Sequence, residues 1–167
     1  MNNVLDPMAE RFLRYLRVER NDSPNTILNY KDDLIAFSVF LSGRGKATWL
    51  EVSLLDIRSY LAQLHREEKA RRTIARRISS LRSFYRYLMR EGLTDKNPFT
   101  KVKTPKLEKK LPVFLEEFEM NHLLELPDLS TELGQRDRAL LEFLYSTGCR
   151  VSELVGLTLT RLDLSNR

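Results

Sequence analysis

A single cysteine, two histidines and the lack of any long apolar run remove several functional classes from this chain of 167 residues. Cys149 has no second cysteine for an internal disulfide, which fits a reducing compartment. With His65 and His122 as the only histidines, a structural zinc site is not expected. No stretch approaches the roughly 20 apolar residues needed to cross a bilayer. The opening Met1-Asn2-Asn3-Val4-Leu5-Asp6 lacks the basic and apolar blocks of a signal peptide. The expectation is a cytoplasmic protein with no membrane association, no metal and no cofactor. Its 42% hydrophobic and 31% charged residues are those of a globular chain rather than a disordered one.

Positive charge is present and unevenly spread. Residues 1–110 hold 23 Lys/Arg against 13 Asp/Glu, whereas residues 111–167 hold 5 against 10. A basic first half suits a polyanion, because clustered cations release counterions from phosphates. A solvated surface or an anionic membrane would accept the same charge.

The few prolines and glycines mark the ends of helices. Asp6-Pro7 and Ser23-Pro24 each pair a capping side chain with proline at the first helical position. The first opens a helix to about Arg20 with Met8, Phe12, Tyr15 and Leu16 on one face. The second opens a helix to Ser42, stopped by Gly43, with Ile27, Tyr30, Leu34, Phe37 and Leu41 spaced three and four apart. Ser53 caps a third helix, with Asp56 near its positive end and Ile57, Tyr60, Leu61 and Leu64 on its buried side. A fourth spans roughly 71–91 and is closed by Gly92. Four such helices joined by short connections predict a compact bundle over residues 1–92.

Residues 93–112 read as a basic interdomain linker. Asn97-Pro98, Pro105 and Pro112 interrupt any helix, and Lys96, Lys101, Lys103, Lys106, Lys109 and Lys110 crowd the stretch. Helices resume over about Glu116–Leu126, Leu133–Thr147 and Arg150–Leu157, while Leu157–Leu164 is ambiguous. Residues 113–167 number roughly 55, a size at which only about 60% of the chain's surface is buried. The chain ends on the turn-like Asp163-Leu164-Ser165-Asn166-Arg167. This segment is expected to be incomplete.

Two constellations carry chemistry. On a wheel at about 100° per residue, Ile74, Ile78, Leu81, Phe84, Tyr85 and Leu88 share one side of the fourth helix. Arg71, Arg72, Arg76, Arg82, Arg86 and Arg90 spread over the other. Between Arg71 and Gly92 the only acid is Glu91. A face built for solubility normally mixes signs, so the stripe favours DNA over mere solvation. Arg77 is the exception, since it falls within the apolar arc. The second constellation is Ser146-Thr147-Gly148-Cys149-Arg150-Val151-Ser152-Glu153-Leu154. Gly148 permits a sharp turn, and Arg150 then opens the next helix, where a guanidinium and free backbone donors suit a phosphate. Glu153, three residues on, shares its face and can orient it. Spacing alone equally fits a surface ion pair.

Thr147-Gly148-Cys149-Arg150-Val151-Ser152-Glu153-Leu154-Val155-Gly156-Leu157 resembles the first catalytic-arginine motif of the tyrosine recombinases, the phage integrase family. Arg136-Asp137-Arg138-Ala139-Leu140-Leu141, Leu144-Tyr145-Ser146 and Leu162-Asp163-Leu164 are similar to the same family. In the first half, Ser23-Pro24-Asn25-Thr26, Tyr30, Asp33-Leu34, Phe37, Thr73, Arg76, Ser79–Arg82, Phe84-Tyr85 and Asn97-Pro98 resemble its core-binding-domain signature. The resemblance covers essentially the whole chain and is closest to the Xer-type chromosome-dimer resolvases.

The resemblance implies a mainly α protein. It would comprise a four-helix SAM-like core-binding domain over 1–92, a basic linker over 93–112, and the helical start of a truncated catalytic domain over 113–167. It implies that Arg150 holds a nonbridging oxygen of the scissile phosphate, with Glu153 in support. Helices two and four would lie on double-stranded DNA through Thr26, Asn29, Lys31, Arg71, Arg72, Thr73, Arg76, Arg77 and Arg82, with Lys101 and Lys103 following in the linker. Other recombinase subunits, identical or paralogous, would be partners in a tetrameric synapse.

The departures limit the catalytic expectation. The family's hairpin lysine, His-x-x-Arg motif, further His or Trp and nucleophilic tyrosine lie downstream of the Arg150 motif. Neither His65-Arg66-Glu67-Glu68 nor His122-Leu123-Leu124-Glu125 forms His-x-x-Arg, and Tyr15, Tyr30, Tyr60, Tyr85, Tyr87 and Tyr145 all precede Arg150, on core-like faces. Arg161 stands where many members carry an acid. The chain alone is expected to bind DNA without cutting it. Two other readings stay open: a non-catalytic regulator that occupies a recombination site, and a helical protein-interaction module whose basic surface is incidental.

Overall fold

The computed structural model describes residues 6–108 and 111–162. Lys109 and Lys110 of the expected linker, Asp163 and Leu164 of the Leu162-Asp163-Leu164 motif, the turn-like end and the opening five residues lie outside them. The described residues form seven α-helices and two 3₁₀ turns, with no strand. They divide into two compact units, Met1–Lys109 and Lys110–Arg167.

The first unit holds α1 (Pro7–Val18), α2 (Pro24–Ser42), α3 (Leu54–Arg66) and α4 (Arg71–Arg90). The starts of α1, α2 and α3 follow from their capping chemistry, whereas α4 follows Ala70 with no side-chain cap. Asp6 accepts the Met8 N–H at 2.8 Å, and Ser23 accepts the Thr26 N–H at 3.2 Å. Ser53 and Asp56 form a reciprocal box, with Asp56 Oδ2 accepting the Ser53 N–H at 2.9 Å. Gly92 takes a left-handed φ of 69°, which a side chain would disfavour, and ends α4.

Packing follows the expected apolar faces. Phe12, Leu16, Leu34, Phe37, Ile57, Leu64, Ile74, Ile78, Leu81, Phe84 and Leu88 are buried in one core. Phe37 sits among rings, 4.9 Å from Tyr60, 5.7 Å from Phe99 and 6.0 Å from Trp49. The 3₁₀ turn Trp49–Glu51 was not foreseen. It brings Trp49 into the core, where its carbonyl accepts the Tyr85 hydroxyl at 2.6 Å.

The chain leaves the helix at Gly92 but does not leave the unit, which moves the expected linker start. Phe99 is wholly buried, and Leu93 and Val102 pack against the same core. Asn97 bridges the junction: Nδ2 donates to the Arg82 carbonyl at 3.0 Å while Oδ1 accepts the Phe99 N–H at 3.0 Å. The prolines forbid a helix here, but they do not forbid burial. An aromatic ring gains about 1.5–3 kcal/mol by leaving water.

The second unit contains α5 (Glu117–Glu125), α6 (Glu132–Thr147), the short α7 (Val151–Val155) and the 3₁₀ turn Leu159–Arg161. The 3₁₀ turn resolves part of the ambiguous 157–164 stretch. Thr131 caps α6 by accepting the Gly134 N–H at 3.0 Å. Gly134 is buried against Asp128, where an added Cβ would collide with backbone, so that helix start requires glycine. Arg138 ties α6 to α5 by donating to the Leu124 carbonyl at 2.6 Å.

Candidate nucleic-acid interface and the Arg150 motif

The arginines of α4 fall into two groups. Four are engaged within the first unit. Arg76 Nη1 donates to Asp33 Oδ2 at 2.8 Å and to the Asn29 carbonyl at 2.9 Å. Arg77 Nη1 donates to the Tyr60 hydroxyl at 3.1 Å, and its Nε lies 3.5 Å from Asp33 Oδ1. Arg82 donates to the carbonyls of Val102 at 2.7 Å and Phe99 at 3.2 Å, and reaches Thr104 Oγ1 at 3.5 Å. Arg90 pairs with Glu19 at 3.1 Å and Glu91 at 3.0 Å, and lies 4.2 Å over the Tyr15 ring. The others are open: Arg72 and Arg86 are exposed and join none of the ion pairs found among the described residues, while exposed Arg71 is 3.7 Å from Glu108. The uniform stripe of six is therefore corrected. Arg82 clamps the segment after α4, because three nearby oxygen acceptors there need a donor.

The helices α2 and α4 pack together, and the Arg76–Asn29 bond marks where their outer faces meet. Thr26 and Asn29 stand on the α2 side, with Asn29 exposed. Asn29 Nδ2 donates to the Asn25 carbonyl at 2.8 Å, and Thr26 Oγ1 lies 3.0 Å from Ser23 Oγ. Arg72 precedes Arg76 by one turn on the α4 side, and Thr73, half-buried, is next to it. Arg72 and Arg86 share this outer line about 21 Å apart along the axis, at about 1.5 Å per residue. Lys31 is exposed, but it lies about 200° round α2 from Asn29. The structure does not bring it to the same face. Lys101 and Lys103 are exposed on the segment that Arg82 holds.

Asp33 is the residue that sequence reasoning passed over as part of a motif. It is wholly buried, and Oδ2 also accepts the Ser80 hydroxyl at 2.8 Å. Asp33 Oδ1 and Arg77 Nε are buried without a hydrogen bond. Burial pushes the Asp33 carboxyl above its ordinary range, while Ser80, Arg76 and Arg77 pull it back. The signal was legible: Asp33 occupies an apolar register with Tyr30, Leu34 and Phe37.

In the second unit, Gly148 ends α6 in the left-handed region at φ 62°, with its N–H on the Leu144 carbonyl. The chain can then turn so that Arg150, in extended conformation, caps α7. Glu153 accepts the Arg150 backbone N–H at 2.8 Å and Arg150 Nη1 at 3.0 Å. These two bonds, the backbone one foremost, hold the Glu153 carboxyl below its ordinary range. Arg150 itself stays 82% exposed, so its guanidinium is oriented by an anion yet accessible to another. Five of the six tyrosines do line the first unit's core. Tyr145 does not; it is exposed.

No helix among the described residues is long and apolar enough to cross a membrane. A family model described as "Phage integrase, N-terminal SAM-like domain" matches residues 9–92, and one described as "Phage integrase family" matches residues 113–167. Among curated proteins, the chain is 44% identical over 163 residues to "Tyrosine recombinase XerC" of Oceanobacillus iheyensis, covering 98% of the chain and 53% of the relative. It is 44% identical over 164 residues to the protein of that name in Bacillus subtilis, covering 98% and 54%. With that of Pelotomaculum thermopropionicum it shares 50% over 162 residues, covering 94% and 53%. The chain spans about half the length of the curated relatives it matches.

Proposed function

The chain belongs to the phage integrase family of tyrosine recombinases, and from that premise we propose that it is the DNA-gripping and phosphate-binding part of a Xer-like site-specific recombinase. The first unit binds duplex DNA through the outer face of α2 and α4. Arg72, Arg86 and the outer edge of Arg76 contact phosphates there, with Asn29, Thr26 and Thr73 beside them and Lys101 and Lys103 extending the footprint. Arg82 and Arg77 act from within the unit instead. Arg150 takes a nonbridging oxygen of the scissile phosphate. Charge building on that oxygen as the phosphoryl group transfers is then met by a guanidinium already oriented by Glu153. The phosphotyrosyl step, in a synapse with other subunits, belongs to residues that follow Arg150 in the family.

The observation that carries the DNA reading is the sorting of the α4 arginines: exposed Arg72 and Arg86 join no ion pair among the described residues, whereas Arg76, Arg77, Arg82 and Arg90 are held by partners within the unit. Titration of random-sequence duplex against the 167-residue chain at rising KCl tests it. Expected is an affinity whose log–log salt slope is about −0.9 per phosphate contacted. Binding that is absent at low salt, or indifferent to salt, overturns the reading and favours a protein-interaction module.

A further inference from the structure

Asp33 poses a problem that the fold alone does not answer. Burial raises its carboxyl, so in the ionised form it opposes folding: its contribution is most favourable below the ordinary carboxylate range and is lost as pH rises through the raised value. A helical core closes as well around an apolar side chain, and replacing a buried ion pair with one is often neutral or stabilising. Yet Asp33 joins two helices at the place where the outer faces of α2 and α4 meet, through Arg76 and Ser80.

Arg76 is the link between that buried charge and the surface. Only its Nη1 bonds within the unit, to Asp33 and to the Asn29 carbonyl. Its Nε and Nη2 have no hydrogen-bond partner among the described residues, and its side chain keeps 35% of its surface exposed. These two nitrogens form the side-on fork by which a guanidinium grips a phosphate with parallel hydrogen bonds. A free arginine loses rotamer freedom when it takes up such a contact. One already fixed at Nη1 does not.

We propose that Asp33 is a positioning residue for DNA binding: from inside the bundle it holds Arg76 by one nitrogen, so that the other two are presented beside Asn29 as a preformed phosphate fork. This inference rests on the DNA reading above. It makes a prediction opposite in sign to simple electrostatics. Removing the negative charge of Asp33 makes the unit more basic, which by charge alone tightens its hold on DNA. Loss of positioning weakens it.

The test compares the full chain with Asp33→Asn, Arg76→Ala and the double variant, measuring affinity for random-sequence duplex as a function of KCl. Asp33→Asn and Arg76→Ala are each expected to weaken binding about tenfold and to flatten the slope by about 0.9. The double variant is expected to lose no more than either single one. Tighter or unchanged binding by folded Asp33→Asn, an unchanged slope, or additive losses in the double variant overturns the proposal. A purely structural Asp33 would lower the melting temperature and leave the slope of the folded protein intact. Should Asp33→Asn not fold, Ser80→Ala removes one restraint on the carboxylate while keeping its charge; it is expected to flatten the slope in part, and an unchanged slope overturns the proposal. A wild-type chain that fails to bind duplex overturns the DNA reading itself and this one with it. Wild-type binding with an unaltered Asp33→Asn slope overturns this one alone.

Discussion

Replacing Arg72 and Arg82 separately dissociates two properties that one row of arginines on a helix would combine. Arg82 donates to Val102 and Phe99 carbonyls at 2.7 and 3.2 Å, with a weaker reach of 3.5 Å to Thr104. A hydrogen bond from a charged donor contributes about 1.5–3 kcal/mol. These carbonyls are near the surface and recover water when the donor leaves, so Arg82→Ala is expected to cost about 2–3 kcal/mol in all. For a unit of this size that lowers the melting temperature by on the order of 10 °C. It also releases the segment carrying Lys96 and Lys101, so trypsin should reach both sites sooner. Arg82→Lys keeps the charge but not the fork, and should behave like the alanine variant. Arg82 itself is assigned no phosphate, so neither should flatten the DNA salt slope of the folded protein as much as loss of a direct contact does. Arg72 is exposed and takes part in no ion pair among the described residues. Arg72→Ala should change stability by less than about 0.5 kcal/mol and flatten the salt slope by about 0.9. Calorimetry, timed trypsin digestion and salt-dependent mobility shift read the three quantities. An Arg82→Ala protein with wild-type melting and a flatter slope would refute the sorting of these arginines.

Asp56 provides a pH-dependent contribution. Its hydrogen bonds with Ser53, followed by those from Arg44 and Lys46, hold its carboxyl well below the usual carboxylate range despite partial opposition from burial. A lowered carboxyl stabilises above the ordinary value, about 4, and that stabilisation falls away by up to about 1.4 kcal/mol per pH unit below it. Asp56→Asn should therefore cost about 1–2 kcal/mol at neutral pH, with a gap to wild type that narrows between pH 4 and pH 2; a gap constant across that range in chemical denaturation refutes the assignment. For the Arg150 motif, the chain alone should form no denaturation-resistant adduct on a nicked suicide duplex, since its six tyrosines all precede Arg150. If the C-terminal half of one of the relatives restores cleavage in trans, Arg150→Ala should lower it by about 10²–10³; an adduct formed by the chain alone contradicts this.

The helices were legible because their signals are local. Asp6, Ser23 and Ser53 cap the helices they precede, and Gly92 and Gly148 take the left-handed backbone that ends α4 and α6. The segment after α4 was less legible for a related reason. Asn97-Pro98 and Pro105 state that no helix continues, and six lysines suggest a solvated tether. Whether Phe99 is buried depends on a cavity lined by Phe37 and Tyr85, which are distant in sequence. Composition recorded the charge of the stretch and missed its one anchoring ring.

Which arginines are open to DNA was the least legible property, because a wheel records direction and not partners. Arg76 and Arg72 lie one turn apart on the same side of α4, yet Arg76 bonds to Asp33 and Arg72 does not. Two irregularities nevertheless pointed to this pairing. Asp33 is an acid in the apolar register of α2, and Arg77 is a base in the apolar arc of α4. Each alone is an unfavourable charge facing a core. An unpaired buried charge is expensive enough that such a residue must meet an opposite one or move its pKa. Two helices of one bundle that each carry a misplaced charge of opposite sign therefore imply a contact between them. The structure places Arg77 Nε 3.5 Å from Asp33 Oδ1. Residues that break the binary pattern thus located the α2–α4 junction better than those that obey it, and the candidate interface lies directly outside that junction.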